Sequence, residues 1–273
     1  TAVIEVTDDF IKSRLESLSD NNEMNSTYKE IVHAISEVTG VEYSLEFHTK
    51  GDNYNSSDSI EIKSNDSEFE SHLNSKLTFD SFIIGSSNKF AHGAAVAVSE
   101  NPGIKYNPLF IYGNSGLGKT HLLHAIGNQI KSNNPKMKVM YITTENFTND
   151  FIDSLKNKTP ASFREKYRSI DVLLIDDIQF ISKAISTQEE FFNTFNSLHN
   201  EGKQIVITCD RPIGELTVLE ERLKTRFACG VIADIQTPDY ETKFAIIERK
   251  AAENSLPIES DIIDFIASSS GSS

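Results

Sequence analysis

The spacing of apolar residues changes several times along the chain and divides it into segments. Ala2-Val3-Ile4-Glu5-Val6 reads as a short strand, and Thr7 or Asp8 can cap a helix carrying Phe10, Ile11 and Leu15 on one face. Asn25 or Ser26 can cap a second helix with Tyr28, Ile31, Val32, Ile35 and Val38 at helical spacing, closed by Gly40. Tyr43 to Phe47 then alternates like a half-buried strand. The helical stripes read as core. Residues 1–47 therefore predict strand–helix–helix–strand, the later part of a small α/β domain. Residues 48–76 lose this pattern: Asp52 to Asn74 is rich in Ser, Asn, Asp and Glu, with too few apolar side chains to bury a core. That composition predicts a flexible acidic linker.

From Leu77 the periodicity tightens. A helix is expected from about Ser87, with Ala91, Ala94, Ala95 and Val98 on one face. Leu109 to Tyr112 reads as a buried strand leading into a helix with Leu122, Leu123, Ile126 and Ile130. Lys138 to Thr143 is a further strand, and Glu145 to Leu155 and Pro160 to Tyr167 are amphipathic helices. Val172 to Ile175 is a continuous apolar strand ending in Asp176 and Asp177, followed by a helix over Gln188 to His199. Gln204 to Thr208 and Val231 to Ile235 complete the strands, and a helix follows from about Tyr240 to Ala252. Strands alternating with helices of this length predict an α/β fold, a parallel sheet covered on both faces. Ligands of such sheets sit beyond the carboxyl ends of the strands.

Composition narrows the classes. At 273 residues, 38% hydrophobic and 24% charged, the chain suits one large soluble domain, alone or with a small one. No apolar run approaches the ~18–20 residues that span a bilayer, and no basic-then-apolar leader opens the chain. Beginning at Thr1 and stopping at a bare Ser-Gly-Ser-Ser, the sequence is expected to be a fragment. Cys209 and Cys229 have no metal-type spacing and read as reduced thiols of a cytoplasmic protein. A net charge of −14 argues against a generally basic nucleic-acid surface and leaves only local basic patches.

Candidate chemistry gathers at the predicted strand ends. Gly113-Asn114-Ser115-Gly116-Leu117-Gly118-Lys119-Thr120 spells the phosphate-binding G-x-x-x-x-G-K-T loop. Its backbone N–H groups would cradle phosphate oxygens, and the helix behind it aims its positive end at the same anion. Lys119 would reach the β- and γ-phosphates of a nucleoside triphosphate, and Thr120 would take a Mg²⁺ position. Asp176, at a neighbouring strand tip, would hold the same metal, and Asp177 either orients the attacking water or caps the next turn. Asp210 either senses the γ-phosphate or belongs to an Asp-Arg-Pro turn. Arg222, Lys224 and Arg226 lie on one short helix, where cations suit either a solvated face or a phosphate of a neighbouring subunit.

At these residues the chain resembles the bacterial chromosomal replication initiators, AAA+ ATPases of the DnaA family. The resemblance runs through Phe79-Asp80-Ser81-Phe82, Gly85 to Ala91, Tyr106 to Gly113, Gly116 to Leu122, Leu173 to Phe180, Thr187 to Phe192 and Arg222 to Phe227. It implies an AAA+ nucleotide-binding core over residues 77–236 and a helical lid that begins at 237–273. It further implies ATP or ADP with Mg²⁺ as cofactors, slow hydrolysis, and an ATP-bound filament that helps open origin DNA. Ile84, Gly85 and Asn88 would lie near the adenine, and Gly113, Gly116, Leu117, Gly118, Lys119, Thr120 and His121 would surround the phosphates. Thr120 and Asp176 would bind the metal, Asp177 would serve hydrolysis, Asp210 would be the first sensor, and Arg226 the arginine finger acting on the next protomer. Single-stranded DNA would touch the insertion at about Glu145 to Arg168, through Ile152, and the loop after Asp177. In that loop Lys183-Ala184-Ile185-Ser186 replaces the family's usual basic residue, leaving Lys183 as the substitute. Residues 1–47 would self-associate and recruit the replicative helicase, and acidic membrane phospholipids are a further implied partner. The family's second sensor arginine and duplex-reading helix-turn-helix have no match here. A helicase loader or regulatory paralogue is the alternative reading, and residues 1–47 argue against it. A small-molecule kinase would need an acceptor pocket and a lid bearing arginines, and no segment supplies them.

Overall fold

The structure is a computed structural model and describes residues 2–6, 45–49, 71–181 and 184–270. It divides into two compact units, Thr1–Asn65 and Asp66–Ser273. In the first, β1 (Ala2–Val6) and β2 (Leu45–Thr49) pair in parallel, with Ala2 opposite Leu45 and Val6 opposite Thr49. The second strand begins at Leu45, two residues after the expected Tyr43. Parallel neighbours need a crossover of a dozen or more residues, and residues 7–44 are long enough to supply one. The two helices expected there, and most of the expected linker, lie outside the described residues.

The second unit is built on five strands: β3 (Leu109–Tyr112), β4 (Val139–Thr143), β5 (Val172–Asp176), β6 (Gln204–Cys209) and β7 (Val231–Asp234). They form one parallel sheet in the order β4-β5-β6-β3-β7. The chain leaves β3 for one edge, returns strand by strand to β6, then crosses β3 to reach β7. The order thus reverses at β3, where a doubly wound sheet opens its ligand crevice.

Side chains alternate across this sheet with period two and feed separate cores. Phe110, Leu173, Ile175, Ile205 and Ile207 join Phe147, Phe163, Tyr167, Phe191 and Phe227 on one face. Leu109, Ile111, Val172, Leu174 and Val206 meet Leu122, Leu123 and Ile126 on the other. The helices follow the expected stripes: α1 (Lys89–Glu100), α2 (Lys119–Asn133), α3 (Thr144–Lys156), α4 (Pro160–Arg168), α5 (Ile185–Asn200), α6 (Glu221–Ala228) and α7 (Tyr240–Glu253). An additional helix, α8 (Ser260–Ser269), packs Ile263 and Ala267 inward near the end of the described chain.

The core unit reaches further upstream than the apolar pattern alone suggested. Ser71 accepts a backbone hydrogen bond from Tyr141 (3.1 Å), extending the sheet edge at β4. The Asn74 N–H donates to His124 Nδ1 (3.2 Å), and Asn128 Nδ2 donates to the carbonyls of Asn74 and Leu77 at 2.8 and 2.9 Å. Leu73 fills the space left by Gly127, where a Cβ would stand 2.5 Å from Leu73 Cδ2. Residues 71–76, inside the expected linker, are therefore docked on α2 and β4.

Candidate nucleotide-binding site

The loop between β3 and α2 is shaped by glycine. Gly116 and Gly118 have φ of +81° and +94°, in the left-handed region that residues with a Cβ seldom enter. A Cβ on Gly118 would also press Phe82 Cε2 at 3.0 Å. Gly118 is the N-cap of α2, so the loop ends with the helix's unpaired N–H groups facing outward beyond β3. Lys119 is buried, and its ammonium donates to the Gly113 and Asn114 carbonyls at 2.7 and 2.9 Å. It is thus held over the loop, where a phosphate oxygen would compete for the same donors.

Asp176, at the tip of β5, hydrogen-bonds to the loop's last residue, Thr120. Its Oδ2 accepts from Thr120 Oγ1 (2.7 Å) and Tyr141 OH (3.1 Å), while its Oδ1 accepts a short bond from Thr208 Oγ1. Burial first, then the neighbouring Asp176 charge, raises the Tyr141 phenol well above its ordinary value, so it stays a donor. The Thr120 hydroxyl and the Asp176 carboxylate are hard oxygen donors in direct contact, a set that fits Mg²⁺ completed by phosphate and water. Among the described residues no cluster of three His, Cys, Asp or Glu side chains forms a dedicated metal cage.

Asp177 follows the strand with φ +57° and donates its N–H to Thr208 Oγ1 (2.9 Å). Its Oδ1 accepts from Gln179 Nε2 (3.0 Å), and Gln179 Oε1 in turn accepts the Asp210 N–H at 3.3 Å. Asp210 grips Arg211 through two bonds of 2.7 and 2.8 Å, and that hydrogen-bonded guanidinium lowers the Asp210 pKa. Asp210 is thus tied to the adjacent Arg211, and it also lines a cavity with Gly113 and Asn114 of the loop. Beside it, burial pushes the Cys209 thiol up to about 11.

Three cavities surround the loop, and Leu117 lines all of them. The first, about 420 Å³, is lined by Ile83, Ser87, Asn88, His121 and, from α7, Ile246. The second, about 240 Å³, lies between Ser115 and Gly116 of the loop and Lys243, Ile246 and Ile266 of α7 and α8. The third, about 400 Å³, joins Gly113 and Asn114 to Asp210 and Asp234. Asn88 spends both ends of its amide on the main chain, accepting from Gly85 N (2.9 Å) and donating to the Ile83 carbonyl (3.0 Å). It therefore braces the 83–85 turn. Ile83 lines the cavity, whereas Ile84 is 51% exposed and lines none of the three. Gly85 lies beneath Thr242, whose Oγ1 would be 2.0 Å from any Cβ there. His121 directs Nε2 to the Thr78 carbonyl (2.8 Å) and Ser81 Oγ (3.2 Å), tying the 78–82 segment to α2, and burial lowers its pKa.

A sequence profile describing the bacterial DnaA ATPase domain matches residues 73–234, more than half of the chain. The chain belongs to the bacterial DnaA family. It is 55% identical over 199 residues to the chromosomal replication initiator protein DnaA of Leifsonia xyli, covering 73% of this chain and 42% of that protein. The chain thus spans less than half the length of that relative. Its fold is similar to domain III of Thermotoga maritima DnaA, with TM-score 0.70, 46% identity and coverage of 71% and 81% of the two chains. A replication initiator DnaA bound to AMPPCP and single-stranded DNA is similar at TM-score 0.68 and 39% identity, over 72% of this chain and 61% of that one.

On the family's AAA+ core, the remaining expected residues lie away from the P-loop cavities. On α6, Arg222 pairs with Glu220 and Glu189 and lies 4.7 Å over the Phe192 ring, and Lys224 pairs with Glu221 at 2.9 Å. Arg226 has no carboxylate partner among the described residues and lines none of the three cavities. Ile152 on α3 is exposed, as are Phe180 (65%) and Ile185 (68%) after β5. Lys183 lies outside the described residues. Thr208, Gln179 and Tyr141 were not singled out from the sequence. Their roles arise from β4, β5 and β6 lying side by side, and only the position of Thr208, two residues before Asp210, hinted at one of them. No helix among the described residues is long and apolar enough to cross a membrane.

Proposed function

We propose that this chain is the ATP switch of a chromosomal replication initiator. ATP binds at Gly113 to Thr120, with its base in the cavity beside Ile83 and Ser87. Thr120 and Asp176 hold Mg²⁺, which would neutralise the developing charge on the phosphates. Asp177 orients or deprotonates the attacking water, and Asp210 borders the γ-phosphate side. Hydrolysis is slow and acts as a timer.

The observation that carries this reading is Arg226. Its two cationic neighbours on α6 are neutralised by local carboxylates, while its own guanidinium is uncommitted among the described residues and lines no cavity at its own P-loop. A free guanidinium suits a phosphate presented by another copy, so the ATP-bound form assembles into a filament on origin DNA. The exposed Ile152, Phe180 and Ile185 are the single-strand contact that helps open the duplex, as expected from the DNA-bound relative. The small N-terminal unit recruits the replicative helicase. Acidic membrane phospholipids are a further partner of the whole protein.

Sedimentation of the chain with Mg²⁺-ATP and with Mg²⁺-ADP tests this. A larger species is expected only with ATP, and Arg226→Ala should abolish it while ATP still binds. An unchanged monomer in saturating ATP would overturn the switch reading.

A further inference from the structure

The tips of β5 and β6 are laced together by side chains, and one of these has no role so far. Gln179 lies in the single turn after β5. Its Nε2 donates to Asp177 Oδ1 at 3.0 Å, and its Oε1 accepts the Asp210 N–H at 3.3 Å. Asp177 is held in the left-handed region (φ +57°), with its N–H pinned to Thr208 Oγ1 at 2.9 Å. A non-glycine residue seldom adopts that conformation, and it persists there only where its surroundings fix it. Here both its backbone and its carboxylate are fixed, one by Thr208 and the other by Gln179. An amide suits this bridge because one end donates and the other accepts. An ionised carboxylate could not donate to Asp177, and a lysine could not accept from Asp210.

We propose that Gln179 is a positioning residue for ATP hydrolysis: it aims the Asp177 carboxylate at the attacking water and couples that aim to the Asp210 end of β6. The inference rests on Asp177 acting on that water. In the step it serves, the water oxygen bonds to the γ-phosphorus and its proton passes to the Asp177 carboxylate. The bond from γ-phosphorus to the bridging oxygen breaks, with its electron pair staying on ADP. A shift of the Asp210 backbone, which borders the P-loop cavity, reaches Asp177 through a single amide.

The test is single-turnover ATP hydrolysis and ATP affinity, measured together on the full chain. Gln179→Met keeps the side-chain length and loses both hydrogen bonds. Gln179→Glu keeps the acceptor for Asp210 and sets a like charge against Asp177. Asp177→Asn is the reference, expected to slow hydrolysis about 100-fold. All three should bind ATP within about twofold of the parent, while Gln179→Met slows hydrolysis about tenfold and Gln179→Glu at least as much. Combining Gln179→Met with Asp177→Asn should add no further loss. If Asp177→Asn slows hydrolysis but Gln179→Met hydrolyses at the parent rate or faster, the inference is overturned and the hydrolytic role of Asp177 stands. If ATP affinity falls in parallel with rate, Gln179 is merely structural and the inference is again overturned. Parent-rate hydrolysis by Asp177→Asn would remove the assignment of Asp177, and this inference with it.

Discussion

Thr208→Val tests most sharply how the site is held together. Thr208 is fully buried, and its hydroxyl is used twice, donating to Asp176 Oδ1 and accepting the Asp177 N–H at 2.9 Å. Valine has nearly the same shape and can do neither. Losing a hydrogen bond to a charged acceptor removes about 1.5–3 kcal/mol, and leaving the Asp177 N–H without a partner costs about 1–3 more. Asp176 retains Thr120 and Tyr141 on its other oxygen, at 2.7 and 3.1 Å, so the lower half of the sum applies. A loss of roughly 2–4 kcal/mol follows, or a fall in Tm of about 5–15 °C for a unit of this size. Thr208→Ser keeps the hydroxyl and loses one methyl, costing about 1 kcal/mol and a few degrees. Differential scanning calorimetry of the two variants compares them directly. If valine and serine melted together, the hydroxyl would not be holding the two strand tips, and the reasoning would fail.

Lys119→Ala should weaken ATP binding about 100-fold in isothermal titration calorimetry, since the ammonium is the one side-chain cation of the loop; binding within threefold of the parent would contradict that. Tyr141→Phe keeps the ring against His124 (4.1 Å) but loses the bond to Asp176. Its Mg²⁺-ATP affinity should fall about tenfold while affinity for metal-free ATP is unchanged, as expected for a group that orients a metal ligand. Burial lowers the pKa of His121 and His124 from 6.5, so both are neutral in the fold while the unfolded chain takes up protons. Their contribution to stability is present above about pH 6.5 and is lost as pH falls below it, so Tm should drop between about pH 7.5 and about pH 5.5. His121→Gln should shrink that drop, and a Tm flat over this window would refute the assignment. Asp210, held below 3.8 by Arg211, loses its contribution only in a more acid range.

The parts of this site that depend on local chemistry were legible in the sequence. The glycine loop, the strand ending in Asp176 and the alternating core residues all appear where periodicity and turn chemistry put them. What escaped depends on neighbours distant in sequence. Thr208 and Tyr141 reach Asp176 because the sheet order sets β4, β5 and β6 together, and no spacing along the chain encodes that order. Residues 71–76 read as linker because Leu73 is their single large apolar side chain, yet Gly127 provides its socket and a backbone bond to Tyr141 secures it. Asn88 lines the cavity beside Ile83 and Ser87, and its amide also bonds the main chain at Ile83 and Gly85, contacts visible only once that segment is built. Among the described residues Arg226, unlike Arg222 and Lys224, has no neutralising carboxylate, which depends on helix geometry and on Glu189 of α5 as well as on composition.

The central claim is that the nucleotide bound by one copy is read by Arg226 of another. Mixing two disabled chains tests it directly. At an ATP concentration that saturates only the parent site, Lys119→Ala stays largely unoccupied but still offers Arg226, whereas Arg226→Ala binds ATP and offers no finger. Each alone should hydrolyse ATP at background rate, and the mixture should recover hydrolysis that rises with total protein concentration. A mixture no more active than its folded components would contradict the inter-subunit switch.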